Sequence, residues 1–475
     1  MKRASKSVCI LAALALSGCN MAPRYARPAL PVPDRTPGGP AYAEAAAQAD
    51  SPEEAVDLAA MSYAEFFTDP RLRGTIEVAL ENNRDLRKAV ANVEQARAQF
   101  RVQRADIFPT IGAEAGATYQ DSPLSTSTQG GSGRTDIYSV SAGVSAWEID
   151  LFGRLRNLSE SARQEFFAAR RNRDAARVTL VAEVATAWLA LAADRERLAI
   201  ARKTADAFRQ TVELTQARLE SGIASELEVR QARTSYDQAR TDIAELTTLI
   251  AQDRNALNLL AGTVLDEELL PDTLSDGDVT VVQLPSSLPS QVLLARPDVA
   301  AAEHRLIAAN ADIGAARAAF FPNISLTSAF GTISMGLSGL FDGGSESWSV
   351  APSASVSIFD FGRNSGNLRY ARATYDAMVA DYEGTVQTAF REVADALARR
   401  GTIDEQLQAQ MSLRDNAQQA YRLADARFRF GVEGFLNSLD SQRSFYAAEQ
   451  SLIATRLAKD VNAVELYRAT GGGLQ

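Results

Sequence analysis

The strongest constraint on this chain is an internal repeat with a period near 210 residues. Three short motifs occur twice and in the same order: a Phe-Pro step, a turn that reads Asp-(Leu)-Phe-Gly-Arg, and an Arg placed four residues before a Gly. The pairs are Phe108-Pro109 and Phe321-Pro322, Asp150 to Arg154 and Asp360 to Arg363, and Arg218 to Gly222 and Arg427 to Gly431. A duplication of this size predicts one folding unit that occurs twice, and not several unrelated domains.

Each copy is predicted to run in the order helix, two strands, very long helix, helix. The long helices lack proline and extend from about Leu155 to Arg218 and from about Gly366 to Arg429. At 1.5 Å per residue each is roughly 95 Å long, and helices of that length persist in water only when they pack against one another. The shorter predicted helices cover about Leu72 to Ile107, Pro297 to Phe320, Ala224 to Leu260 and Phe435 to Tyr467.

The strands are predicted near 110–120, 137–149, 323–331 and 348–359, where apolar and small polar residues alternate. This alternation is typical both of a membrane β-barrel with a water-filled lumen and of a soluble sheet that is buried on one face. Glycine- and serine-rich stretches at 120–136 and 332–347 are predicted to be exposed loops. Four strands leave two edges unpaired in lipid, and membrane barrels close with about eight strands or more, so a membrane sheet of this size requires an oligomer.

Composition excludes several classes of protein. There are 49 Lys and Arg against 59 Asp and Glu, for a net charge of −10, and no basic run that could neutralise nucleic acid. Cys9 and Cys19 are the two cysteines and His304 is the one histidine, which excludes Ser-His-Asp triads and Cys/His zinc sites. The carboxylates of Asp150 and Asp360 are interpreted as turn or helix caps and not as acid-base groups. We therefore expect no enzymatic activity, no catalytic residues, no cofactor and no metal.

The first 18 residues have the features of a signal peptide. Lys2, Arg3 and Lys6 precede an apolar run too short to cross a bilayer as a helix. The sequence Leu16-Ser17-Gly18-Cys19 resembles a bacterial lipobox, which predicts lipidation of Cys19. Prolines are dense between residues 20 and 52 and predict an extended tether. No segment after the signal has 18 consecutive apolar residues, so no membrane-spanning helix is predicted.

These motifs together resemble the TolC-like outer-membrane efflux proteins. The resemblance rests on the lipobox followed by Pro23-x-Tyr25-x-x-Pro28, on the duplicated Phe-Pro steps and Asp-Phe-Gly-Arg turns, and on the paired Arg-x-x-x-Gly tips. The lipoprotein branch similar to OprM and the NodT group fits best. The resemblance implies a mainly α fold with a membrane β-barrel portion. Three chains would form a 12-stranded outer-membrane β-barrel that continues into a 12-helix periplasmic α-barrel.

The resemblance also implies domain boundaries and partners. The boundaries are a signal peptide at 1–18, a lipidated tether at 19–70, the first repeat at 71–262, an equatorial linker at 263–296, the second repeat at 297–470 and a tail at 471–475. The implied protein lies in the outer membrane of a Gram-negative bacterium as a homotrimer. It is a passive exit duct for drugs or other small molecules, driven by an inner-membrane RND-type pump through a periplasmic adaptor. Two alternatives stay open: the outer-membrane channel of type I protein secretion, and a coiled-coil lipoprotein without a pore.

Two groups of residues are candidate sites. Arg218, Gly222, Arg427 and Gly431 mark the ends of the long helices, where they are expected to contact the adaptor, although Arg followed by Gly is also an ordinary helix end. Tyr421, Arg422 and Asp425 are candidates for closing the periplasmic aperture, because threefold symmetry would repeat each side chain around one axis. A solvated helix face is the alternative interpretation of this second group.

Overall fold

The computed structural model describes residues 20–42, 61–121, 134–274, 280 and 288–472. Within these ranges there are eight α-helices, four strands and three short 3₁₀ segments, the latter at Glu267–Leu269, Ser290–Ala295 and Leu337–Gly339. The helices are α1 (Tyr63–Phe66), α2 (Pro70–Asn82), α3 (Arg84–Ala105), α4 (Arg154–Glu220), α5 (Glu226–Ala261), α6 (Pro297–Ala318), α7 (Arg363–Arg429) and α8 (Phe435–Ala469). The strands are β1 (Ile111–Asp121), β2 (Arg134–Glu148), β3 (Asn323–Ser334) and β4 (Glu346–Ser355).

The predicted long helices are present and closely matched. Helices α4 and α7 have 67 residues each, which makes each about 100 Å long. Their bounds lie within about three residues of the sequence-based ones. The paired carboxylates serve as helix caps, as predicted: Asp150 accepts a bond from the backbone N–H of Arg156 at 2.9 Å, and Asp360 accepts from the N–H of Asn364 at 2.9 Å.

The prediction of one unbroken helix from Leu72 to Ile107 was wrong. The chain breaks at Asn83, whose ψ of 134° is not helical. The Asn83 side chain donates from Nδ2 to the carbonyl of Leu260 at 2.9 Å and accepts from the N–H of Leu86 at 2.8 Å. It therefore ends α2, caps α3 and ties both to the end of α5. The backbone after α5 comes so close to this break that residue 262 must be glycine. Its φ is +70°, and an added Cβ would lie 2.4 Å from the carbonyl oxygen of Asn82.

The four strands form one antiparallel sheet in the order β1-β2-β3-β4. A bulge between Val144 and Trp147 interrupts the β2–β3 ladder, and Ala146 there has a φ of +49°. Strand β4 ends at Ser355, four residues before the predicted end, and β3 continues to Ser334. The stretch 332–347 is therefore shorter as a loop than predicted and contains a 3₁₀ turn, whereas most of the loop predicted at 120–136 lies outside the described residues.

The chain divides into two compact units. One contains residues up to 28, 92–169 and 302–382, and its largest element is the sheet. In this unit Nδ1 of His304, the one histidine, lies 2.7 Å from Oε1 of Gln164. The other unit contains 29–91, 170–301 and 383–475, and its core includes the stacked rings of Phe66 and Tyr467, with centroids 4.4 Å apart.

One helix among the described residues is long and apolar enough to cross a membrane by length and composition alone. It is α4, and 56% of its apolar 18-residue window is buried inside the protein. The expectation that composition excludes a spanning helix was too strict. Burial of the alanine- and leucine-rich middle of α4, including Val184, Leu189 and Leu191, gives the window a structural role in a packed core.

Candidate functional site

The first helical tip connects α4 to α5 through a glycine in the left-handed conformation. Gly222 has a φ of +72°, its N–H donates to the carbonyl of Leu219 at 2.9 Å, and the N–H of Ile223 donates to the carbonyl of Arg218 at 2.8 Å. This pair of bonds is a Schellman motif, which satisfies the last carbonyls of α4. Ser225 then begins α5 through a reciprocal capping box with Glu228.

The second tip repeats this geometry between α7 and α8. Gly431 has a φ of +73°, its N–H donates to the carbonyl of Phe428 at 3.0 Å, and the N–H of Val432 donates to that of Arg427 at 2.9 Å. The Arg427 guanidinium also forms an ion pair with Glu433 at 2.6 Å. The interpretation of both glycines as helix caps is thus confirmed. An added Cβ at Gly222 or Gly431 would meet nothing within 4 Å, so only the backbone conformation requires glycine.

Arg218 joins the two tips. Its guanidinium lies over the ring of Phe428, 4.5 Å from the centroid, and its Nη1 donates to the Phe428 carbonyl at 3.4 Å. The Phe428 ring in turn contacts Phe435 with centroids 5.6 Å apart, inside a buried cluster that includes Phe208. The duplicated arginines therefore differ, because Arg218 holds the second hairpin against the first and Arg427 braces its own turn.

Large apolar side chains are exposed around both tips. A helix that ends in a Schellman motif commonly packs the residue after its glycine against its own last turn. Here the residues in that position, Ile223 and Val432, are exposed instead. Phe430 is 85% exposed, and Leu227 and Leu436 are exposed on the first turns of α5 and α8. Exposed apolar side chains grouped in this way are typical of a contact surface.

The predicted aperture residues fall into two groups. Tyr421, Asp425 and Arg429 follow one another at four-residue intervals along one face of α7, and Asp425 pairs with Arg429 at 2.8 Å. The Tyr421 ring stacks on Phe445 of α8 with centroids 6.2 Å apart. Burial and the nearby Asp425 carboxylate raise the pKa of the Tyr421 phenol, so it is a neutral hydrogen-bond donor at ordinary pH. Arg422 is exposed and lies off this row.

The segment that follows Cys19 forms a strap of residues 20–28 along α6. The predicted lipidation site itself lies outside the described residues. Glu303 accepts from Nε and Nη2 of Arg27 at 2.7 and 2.9 Å and from the phenol of Tyr25 at 3.2 Å. Asn310 donates to the carbonyl of Pro23 at 2.9 Å, so side chains of α6 hold the strap at both ends. The sequence pattern gave no sign of this, since Tyr25 and Glu303 are 278 residues apart.

A carboxyl pair in the second unit was also missed by sequence reasoning. Burial of Asp253 and its hydrogen bond and repulsion with Asp194 raise the pKa of Asp253 to about 6. The Oδ1 of Asp194 accepts a hydrogen bond from Nη1 of Arg197 at 3.0 Å. No motif marks the pair, because the two residues come from different helices. In the described ranges, no set of three or more His, Cys, Asp or Glu side chains is placed to bind a metal ion.

Comparison with known proteins gives matches along nearly the whole chain. The family pattern described as outer membrane efflux protein matches residues 75–263 and 288–472. A toluene efflux pump outer membrane protein, TtgF of Pseudomonas putida, is 45% identical over 465 residues, which cover 98% of this chain and 96% of TtgF. The outer membrane protein OprJ of Pseudomonas aeruginosa is 41% identical over 98% of this chain and 95% of its own length.

Solved structures agree with these relatives. A crystal structure of the open state of the MtrE outer membrane channel of Neisseria gonorrhoeae matches with a TM-score of 0.85 and 37% identity, over 96% of this chain and 99% of MtrE. A membrane protein from Pseudomonas aeruginosa matches with a TM-score of 0.88 and 40% identity, over 96% and 98% of the two chains.

Proposed function

Because the chain belongs to the outer membrane efflux protein family, we propose that it is the trimeric outer-membrane channel of a tripartite efflux system. In this role it is the passive exit duct, and an inner-membrane pump supplies the energy through a periplasmic adaptor. The observation that carries the proposal is the combination, in one chain, of two features. One is a sheet whose two edge strands are paired on one side only among the described residues, and the other is a pair of helical hairpins with apolar tips, each containing one helix about 100 Å long.

The family, the fold class, efflux as the function and the outer-membrane location are confirmed by the similarities above. The relatives are named as efflux pump proteins, which favours efflux over type I protein secretion. The four paired strands argue against a coiled-coil lipoprotein without a pore, because a protein that only spans the periplasm with helices needs no sheet.

The sheet supports the trimer. Among the described residues, β1 and β4 are each paired on one side only. A strand edge in lipid leaves N–H and C=O groups without partners, at several kcal/mol each, so the edges have to be closed by further copies. Three copies supply twelve strands, which exceeds the smallest membrane barrels.

The tips support the adaptor contact. Gly222 and Gly431 hold tight turns that expose Ile223, Phe430 and Val432. An adaptor with a complementary apolar end would bury these side chains at roughly 25 cal/mol for each Å² removed from water. Arg218 and Arg427 are engaged within the chain, so we assign them to holding the tip in shape and the apolar side chains to the contact.

Tyr421, Arg422 and Asp425 are the residues proposed to close the periplasmic aperture. The row Tyr421–Asp425–Arg429 can exchange its bond within α7 for a bond to a neighbouring copy, and the exposed Arg422 is available to a neighbouring carboxylate. Substrates are proposed to be small apolar molecules, because the relatives include a toluene pump protein. Selectivity would lie with the pump and not with the duct.

The test is complementation of a strain from which this gene has been deleted. We expect the deletion to raise accumulation of a hydrophobic dye and to lower tolerance to toluene, and the wild-type gene to restore both. Immunoblots of outer-membrane fractions control for expression. A deletion strain that accumulates dye and tolerates toluene like its parent would contradict the proposal.

A further inference from the structure

The two hairpins of the sheet are copies of each other in strand register. The Phe-Pro steps at Phe108 and Phe321 are 213 residues apart, and the turn carboxylates Asp150 and Asp360 are 210 apart. In the β1–β2 ladder Ile111 pairs with Val144. Adding 213 to the residue number in β1 and 210 to that in β2 gives Ile324 and Ala354, which pair in the β3–β4 ladder. The same shifts map the β1–β2 ladder onto the β3–β4 ladder wherever both are formed.

The junction between the two hairpins shows how the end of one copy meets the start of the next. Phe152, in the turn after β2, stacks on Phe321, in the step before β3, with ring centroids 4.7 Å apart and planes 20° apart. Beside them Glu148 accepts from Nδ2 of Asn323 at 3.0 Å and pairs with Arg154 at 2.6 Å. The turn after one hairpin is thus docked on the Phe-Pro step of the other.

The corresponding residues at the outer edges of the sheet, Phe108 and Phe361, do not stack on each other within the described residues. The Phe361 ring contacts Phe359 of its own segment instead, with centroids 4.6 Å apart and planes 59° apart. The second copy lacks a counterpart of Leu151, so Phe361 corresponds to Phe152, 209 residues earlier, and Phe108 corresponds to Phe321. Phe361 is 91% exposed and Phe108 is 58% exposed. Phe361 also has a φ of +54°, a conformation that costs a bulky residue free energy, and its ring stays largely exposed despite the contact with Phe359.

We propose that Phe361 of one subunit stacks on Phe108 of the partner subunit and so reproduces the Phe152–Phe321 contact at each subunit boundary. The inference rests on the trimer proposed above and adds the register and the aromatic contact at its closing seam. Gly143 of β2 pairs with Ala329 of β3. The counterpart of Gly143 in β4 is Ser353, 210 residues later, and the counterpart of Ala329 in β1 is Gly116, 213 residues earlier, so Ser353 should lie opposite Gly116 of the partner subunit. This register also sets the exposed Val350 opposite Tyr119 of the partner subunit, a favourable pair of a β-branched and an aromatic side chain.

Engineered disulfides test the register. In a Cys19→Ser background the mature chain has no other cysteine. We expect Gly116→Cys combined with Ser353→Cys to give disulfide-linked dimers and trimers in isolated outer membranes. Thr118→Cys combined with Ser353→Cys is the matched control, because it lies on the same face but two residues out of register, and should give few. Crosslinking of the control alone, or of neither pair in a protein that is still trimeric, would overturn the proposed register.

A double-mutant cycle tests the aromatic contact. We expect Phe108→Ala and Phe361→Ala each to lower the temperature at which purified trimers dissociate in mild detergent. The dissociation temperature of the double variant should be no lower than that of the less stable single variant, because both substitutions remove the same contact. Phe341→Ala, which removes another exposed ring from the β3–β4 connection, is the control and should change little.

Additive effects of the two substitutions would overturn the contact and would instead assign Phe361 to the lipid surface. Absence of any trimer in the wild-type protein would overturn the proposed function itself. Failure of the inference alone would give intact trimers with additive effects, so the two failures are distinguishable.

Discussion

At the scale of single residues, the tips depend on two glycines that are needed for backbone conformation alone. Gly222 and Gly431 have φ values of +72° and +73° with open space around the position of a Cβ. A β-branched side chain there costs about 1 kcal/mol or somewhat more in strain. That free energy is small for a protein of this size, so we expect the substitution to change the shape of the turn and not to prevent folding.

We predict that Gly222→Val and Gly431→Val weaken adaptor binding at least tenfold while trimers still form. Gly384→Val is the matched control, since Gly384 is an exposed glycine within α7 that also has open space around it. Surface plasmon resonance with the purified adaptor and size-exclusion chromatography of the channel measure the two properties. Unchanged adaptor affinity in both tip variants would refute the assignment of the tips.

The carboxyl pair leads to a prediction about pH. Because the pKa of Asp253 is raised to about 6 in the folded protein, above its unfolded value near 4, the folded state binds a proton that the unfolded state does not. The stability contributed by this proton is fully present below about pH 4 and is lost as the pH rises through 6. Asp253→Asn should mimic the protonated form.

The Asn variant should accordingly be more stable than wild type at pH 7.5, by on the order of 1 kcal/mol after allowance for partial exposure, and should have only about half of that advantage at pH 5. Thermal unfolding at the two pH values measures it. Asp237→Asn, on the exposed face of α5, controls for loss of a charge. An advantage at pH 5 as large as that at pH 7.5 would show that the carboxyl pair does not titrate as described.

At the scale of elements, the strap connects the predicted lipid to the body of the protein. Arg27 and Tyr25 bind Glu303 of α6, so the chain is fixed a few residues after Cys19. If Cys19 carries the lipid, the strap positions that lipid beside the sheet-bearing unit, but the strands provide their own attachment to the membrane.

We therefore predict that Cys19→Ser removes the lipid mass while trimers still form in the outer membrane. Mass spectrometry of the purified protein and native electrophoresis of membrane extracts measure the two outcomes. Glu303→Gln, which weakens the ion pair with Arg27 but leaves Cys19 in place, should keep the lipid mass. An unmodified Cys19 in the wild-type protein would refute the lipoprotein assignment.

The sequence predicted elements well where one local signal decides them. The long helices follow from the absence of proline, and their ends follow from Gly222 and Gly431. The break at Asn83 could not be predicted, because it depends on a bond to Leu260, 177 residues away. The strap, the Arg218–Phe428 contact and the Asp194–Asp253 pair were missed for the same reason, since each joins residues that only the tertiary fold brings together.

At the scale of the whole molecule, the duplication accounts for both halves of the proposed assembly. One copy supplies one strand hairpin and one long helical hairpin, and the chain supplies two of each. Three chains then give twelve strands and twelve helices, and the junction between the two copies is the template for the boundary between subunits. A passive duct of this kind needs a narrow point that is closed at rest, which the row Tyr421–Asp425–Arg429 is proposed to provide.

Single-channel conductance of the purified protein in planar bilayers shows directly whether the row on α7 closes the channel. We predict a small conductance for the wild type and a conductance several-fold larger for Asp425→Ala, for Arg422→Ala and for the double variant, because removing these charges releases bonds across the axis. A variant shortened within residues 125–133 should conduct like the wild type. If no variant conducted, the protein would not be a channel. If the shortened loop opened the pore while the α7 substitutions did nothing, the constriction would lie at that loop and not at residues 421–429.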